Sequence, residues 1–180
     1  MTLRRGFKAE SNWYAREFRK ELSLDVADPL CPWELAKLLE VPVYKLSDLG
    51  TNSPAFRYLM HGAGKEFFSA VTVFLGKHRV IMHHDGNHPV RQASDISHEL
   101  AHGILGHPPM PPFNEKGERT YNKELEEEAS WLGPALLISE EAAVKIVKSG
   151  VPIAIAAKRY KVSEKLLRMR INVTGARRRI

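Results

Sequence analysis

The chain has 180 residues, 43% of them apolar and 27% charged, which suggests one soluble domain or one domain with a small appendage. Its net charge of +6 permits an acidic or nucleic-acid partner without requiring one. The single cysteine, Cys31, excludes an intramolecular disulfide and reads as a small buried side chain in a reducing, cytoplasmic setting. No secretory signal is expected from the opening residues, and no window nears the roughly 20 apolar residues that span a bilayer.

In chain order, Trp13, Phe18, Leu22 and Leu24 stand among charges and predict a surface helix. In PWELAKLLE, Pro32 suits a first helical position and Leu35, Leu38 and Leu39 share a face. VPVYKL reads as a short strand, and the stretch from Ser47 to Lys65 as ambiguous. FFSAVTVFL and HRVIMHH, joined at Gly76-Lys77, predict a hairpin. After the turn DGNHP, Pro89 opens a helix that ends before HPPMPPFNEKG, whose prolines bar a helix or central strand. YNKELEEEASWLGPALLI predicts a second long helix, with Pro134 expected to kink or break it after about Trp131. Two or three short helices follow from Ser139 to Ile171, and GARRRI reads as a frayed end. Helices, a small antiparallel sheet and more helices make an α+β arrangement rather than alternating βαβ units.

The chemistry concentrates in SDISHELAHGILGH. Residues four apart on a helix differ by about 40° in direction, so His98 and His102 can hold one ion while Glu99 reaches a water beside it. That is the mechanical content of the H-E-x-x-H pattern: two imidazole ligands and a general base. The bland alternative is an amphipathic helix with two solvated histidines. Ile96, Leu100, Ile104 and Leu105 argue against it, because they place the histidines at a partly buried cleft. A closed structural zinc site wants four ligands, often cysteines; one cysteine fits an open, three-ligand site better. His107 is a tempting third ligand, but on a continued helix it lies about 180° from His98 and about 140° from His102. It would face away, as a helix C-terminal cation favoured by the dipole. The other source is KELEEEASWL. Its apolar stripe is Leu125, Ala129, Leu132 and Leu136; Glu127 points to solvent, Glu126 and Glu128 flank the stripe on opposite sides, and periodicity does not choose between them.

HPVRQASDISHELAHGILGH followed by ELEEEASWLGPALLIS resembles the ImmA/IrrE family of zinc-dependent, gluzincin-like metallopeptidases. The family pattern of an arginine-led run into HELxH, then E-x-x-A, a large apolar residue, a small residue and Leu-Leu reads here as Arg91, His98 to His102, Glu126, Ala129, Leu132, Gly133 and Leu136-Leu137. PWELAKLLEVPVYKL and AAKRYKVSEKLLRMRIN extend the resemblance from about Pro32 to Asn172. It implies a zincin-like fold with a small three-stranded, mostly antiparallel sheet packed on the motif helix and a helical C-terminal cap. The expected division is a peptidase domain at 1–138, a cap at 139–173 and a basic tail at 174–180. It further implies Glu126 as third ligand, one Zn2+ per chain (Mn2+ suits the same ligands), and a regulatory protein substrate, a helix-turn-helix repressor or antitoxin. Two departures stand beyond Glu126: Pro134 where a helix former is usual and Ser139 where proline is common.

Tyr121, His61, His83 and Arg91 are candidates for stabilising the oxyanion or binding substrate, and the sequence does not rank them. An extended substrate would lie along the sheet edge near FSAVTVFL or HRVIMHH. A rival reading takes IAIAAKRYKVSEKLLRMRIN as a helix-turn-helix that binds DNA through Lys165, Arg168 and Arg170. Against it, Ala156, Ala157, Tyr160, Val162, Leu166, Leu167 and Ile171 can simply pack a small cap. A third reading, a metal-binding protein that docks a partner without catalysis, is opposed by the intact Glu99.

Overall fold

The computed structural model describes residues 3–50, 54–61, 64, 68–76, 78–109 and 122–180, and over them the chain is α+β. The charged amphipathic start forms α1 (Phe7–Glu21), and Pro32 opens α2 (Pro32–Leu38). Cys31, just before α2, is half-buried rather than buried. The ambiguous stretch yields one 3-10 turn (Leu46–Leu49) and α3 (Pro54–His61).

The sheet comprises β1 (Val43–Lys45), β2 (Ala70–Leu75) and β3 (His78–His83), in the order β1–β3–β2. β2 and β3 form the expected antiparallel hairpin. Leu75 pairs with His78 across a two-residue connection, and Gly76 supplies the left-handed φ of +64° that such a turn demands. β1 runs parallel to β3, so the sheet is mixed, with β2 and β1 as its edges.

α4 (Pro89–Ile104) carries the motif and buries Ala93, Ile96, Ser97, Leu100 and Ala101, the i, i+3, i+4, i+7 stripe of a helix lying on a core. Ile96, Leu100 and Ala101 of this stripe join Phe7, Leu35, Ile81 and Leu132 in one apolar cluster. α5 (Lys123–Leu137) starts at Asn122, whose Oδ1 accepts from the Glu124 and Leu125 amides at 3.1 and 3.3 Å. Pro134 does not break α5, which runs on to Leu137. The proline deprives only the Ser130 carbonyl of its helical partner. Ser130 is exposed, so water can take that bond.

Beyond α5 come α6 (Glu140–Ser149), α7 (Ile153–Arg159) and α8 (Glu164–Val173), which with Ile138, Ala142, Ile146, Tyr160 and Leu167 enclose a second cluster. Ser139 performs the turn well: its hydroxyl accepts from the Ala142 amide at 3.0 Å and donates to the Val26 carbonyl at 2.7 Å. Two buried arginines meet the α5 C-terminus. Arg19 donates to the carbonyls of Leu136 and Leu137 at 2.9 and 3.2 Å, and Arg170 to that of Ile138 at 3.0 Å. Burial pushes each guanidinium down to about 10, and the negative end of the helix holds both.

This placement bears on the rival reading. Arg170 is 1% exposed, so of the two arginines only Arg168 reaches solvent, and there it pairs with Glu164 at 3.1 Å. The end of the chain is not frayed either. Gly175 turns it back, Ala176 is buried and Arg179 pairs with Glu140. No helix among the described residues is long and apolar enough to cross a membrane.

Candidate metal centre

α4 and α5 pack closely because both sequences allow it. Gly133 lies against the backbone of His98, where a Cβ would stand 3.2 Å from the His98 Cα and amide nitrogen. The Ser97 hydroxyl donates to the Gly133 carbonyl at 2.9 Å. Glu126 is seven residues, two turns, before Gly133 and so shares its face.

The result is a triangle of donor atoms. His98 Nε2 and His102 Nε2 stand 3.1 Å apart; Glu126 Oε2 is 3.3 Å from the first and Glu126 Oε1 3.7 Å from the second. A tetrahedral zinc site with ligand bonds of ~2.0–2.1 Å spaces neighbouring donors by roughly 3.3–3.4 Å. The residues present therefore fit a divalent ion bound by two nitrogens and one oxygen. They are the cluster of metal-ligating side chains among the described residues, each half-buried, which leaves access from solvent. Burial pushes the His102 imidazolium down, helped by His98, His107 and Arg79, so the neutral ring that a metal requires is favoured. Burial acts the same way on His98, but Glu126, Glu99 and Asp95 outweigh it and raise its pKa.

Glu99, one residue after His98, is turned toward the sheet. Thr72 on the edge strand β2 donates its hydroxyl to Glu99 Oε2 at 2.5 Å. Burial pushes the Glu99 carboxyl above the usual carboxylate range, opposed by the Thr72 bond and His98.

His107 does not face away. The helix ends at Ile104, and Gly106, at φ +67°, reverses the chain in a Schellman turn: the His107 amide donates to the His102 carbonyl at 3.0 Å and the Gly106 amide to that of Gly103 at 3.1 Å. His107 thereby swings back beside His102, their Nδ1 atoms 2.8 Å apart, and its Nε2 lies 3.2 Å from Glu128 Oε2. Glu128 in turn accepts from Arg4 Nε at 2.8 Å. If His102 binds through Nε2, only one proton arrangement satisfies this row: His102 Nδ1–H donates to His107, and His107 Nε2–H donates to Glu128. His107 is thus a buried partner of His102 that stands outside the donor triangle, not a solvated cation.

Of the oxyanion candidates, Tyr121 lies outside the described residues. His83 is 2% exposed and packs edge-on against Trp33, which removes it from any cleft. His61 is exposed at the end of α3 and meets Phe56. Arg91 lies about 10 Å up the helix axis from His98 at 1.5 Å per residue, held by Ser69 and Asp95. The partners of these three are residues other than His98, Glu99, His102 and Glu126. Thr72 is the residue that sequence reasoning passed over, while His107 and Glu128 were weighed as ligands and stand instead as partners of each other beside His102. Gly106 directly after an apolar Leu105 was a legible stop signal that would have redirected His107; nothing local marks Thr72.

The family model of the IrrE N-terminal-like domain, Peptidase M78, matches residues 36–172. The chain belongs to the ImmA/IrrE peptidase family. The matched region takes in the sheet, both site helices and the cap through α8, so the donor triangle lies wholly inside it. No curated protein matches this ImmA/IrrE family member.

Proposed function

We propose that this chain is a zinc-dependent endopeptidase that cuts a regulatory protein, a helix-turn-helix repressor or antitoxin being the class that the family resemblance implies. The observation that carries it is the His98–His102–Glu126 triangle with Glu99 beside it. When bound, the ion would polarise the scissile carbonyl and acidify a water; manganese suits the same donors. Glu99 takes the proton of the attacking water and hands it to the leaving amine, a two-way task suited to a carboxyl whose proton affinity is raised by burial. Thr72 fixes the carboxylate for that exchange. A substrate strand adds to the edge of β2 that no described strand pairs with, where backbone bonding makes little demand on sequence. Because Thr72 belongs to β2, one strand positions both the peptide and the base. A cytoplasmic setting accords with a single unpaired cysteine.

The test is incubation with a panel of purified helix-turn-helix repressors and antitoxins. The zinc-loaded chain should yield a cut product, and chelation should stop it. Glu99→Gln should keep about one zinc per chain while cleavage falls roughly 10²–10⁴-fold. Undiminished cleavage by Glu99→Gln or by the chelated protein overturns the proposal.

A further inference from the structure

A cavity of about 340 Å³ opens beside Glu99, between α4, β3 and the segment that joins α2 to β1. Its apolar lining is Leu39, Val41, Ile81, Leu100 and Ile104, and Glu99 lines it too. The size is at the low end of ligand pockets, ~300–1,000 Å³, which suits a side chain rather than a whole small molecule.

Arg79 of β3 also lines this cavity, and its setting is unusual. Its guanidinium stacks on the Phe74 ring at 5.1 Å and crosses α4 at Gly103, where any Cβ would collide with its Nη1. Gly103 is four residues after Glu99, so the cation lies over the turn that follows the general base. The residue is half-buried, yet among the described residues no carboxylate pairs with it and no acceptor meets its five N–H donors. Glu40 and His78 stand on the same lining, and neither bonds it. Its nitrogens are not among the buried unpartnered atoms, so solvent, or a ligand group in its place, can reach them, and a bidentate carboxylate is the group whose geometry matches the guanidinium.

We propose that this cavity is a substrate pocket that takes an apolar side chain, and that Arg79 selects a peptide with an acidic side chain next to it. The location of the cut bond rests on the peptidase reading above; the pocket itself does not.

Two measurements separate the two ideas. In the first, the zinc-loaded full chain digests a randomised decapeptide library with blocked termini, and mass spectrometry reads the cut sites. Aliphatic residues with Asp or Glu within two positions should dominate, and Arg79→Glu should shift the acidic preference to Lys or Arg. The second needs no catalysis or metal. The Glu99→Gln chain is titrated by NMR with blocked Gly-Gly-Leu-Glu-Gly-Gly, with the same peptide carrying lysine for glutamate, and with one carrying serine for leucine. The glutamate peptide should bind on the order of tenfold tighter than the lysine one, and serine should weaken binding on the order of tenfold. In Glu99→Gln/Arg79→Glu the charge preference should reverse, a gain that misfolding does not produce. Equal binding of the two charges, or an acidic preference that survives Arg79→Glu, overturns the pocket. Charge reversal in binding with no library cleavage upholds the pocket and overturns the peptidase reading.

Discussion

Replacing His107 by alanine should weaken zinc binding by roughly 10- to 100-fold while leaving the chain folded. The magnitude follows two routes. His107 Nδ1 stands 2.8 Å from His102 Nδ1 and is the only acceptor the structure supplies for that proton among the described residues. Without it a half-buried N–H is left unpaired, at a cost of about 1–3 kcal/mol. The general effect of removing the partner of a metal-binding histidine, 10- to 100-fold in affinity, corresponds to about 1.4–2.8 kcal/mol, so the two agree. The assay is competition for zinc against a chromophoric chelator, with thermal melting of the metal-free protein alongside. His107→Gln offers an amide oxygen to the same proton and should recover part of the loss. Glu128→Gln should cost less than His107→Ala, because its oxygen can still accept from His107 or Arg4. An His107→Ala protein that melts normally and binds zinc as tightly as the parent refutes the reasoning.

Two further outcomes concern stability. Arg19→Ala strips the Leu136 and Leu137 carbonyls of their buried donor, together with those of Ala15 and Asp28. It should cost on the order of 3 kcal/mol or more in urea unfolding, whereas Arg168→Ala, on an exposed pair with Glu164, should stay within about 1 kcal/mol of the parent. The second turns on pH. Burial pushes the Asp85 carboxyl up, but the Ser47 hydroxyl at 2.7 Å and amide at 3.2 Å outweigh it and hold the group below the usual carboxylate range. A depressed folded pKa adds stability above the unfolded value of about 3.9, lost as pH falls through the folded one. Ser47→Ala should therefore be less stable than the parent near neutrality, with the gap closing below about pH 4. A gap that persists in acid would count against the linkage.

The parts of the site visible in the sequence are those set by one helix. His98, Glu99 and His102 needed only the angle per residue. Glu126 was different: the helical wheel placed it and Glu128 equally well, and both are used, one toward the donor triangle and the other toward His107. Choosing between them requires the rotation of α5 about its own axis against α4, which is settled by the Ser97–Gly133 contact and not by any local pattern. His107 was misplaced because the angle was carried past the end of the helix, into a stretch where Gly106 had already reversed the chain. Pro134 leaves α5 unbroken for a reason that the local rule omits. That rule counts a lost hydrogen bond but not its surroundings, and here the residue that loses its partner, Ser130, is exposed.

The cap is legible as helices, but its purpose is not, because that depends on two buried side chains. Arg19 reaches from α1 and Arg170 from α8 to three consecutive carbonyls at the end of α5, Leu136 to Ile138. Nearer its start, the same helix is held by Arg4 on Glu128, and in between by Gly133 against α4. The helix that presents Glu126 is therefore fixed along its length by elements from both ends of the chain. A cation that a DNA-binding unit would turn toward phosphate is committed instead to the carbonyl of Ile138, just past the end of α5. In this reading the cap buttresses Glu126, the proposed third ligand: loosening α8 should be felt at the donor triangle, through the helix they share, before it is felt at any outer surface.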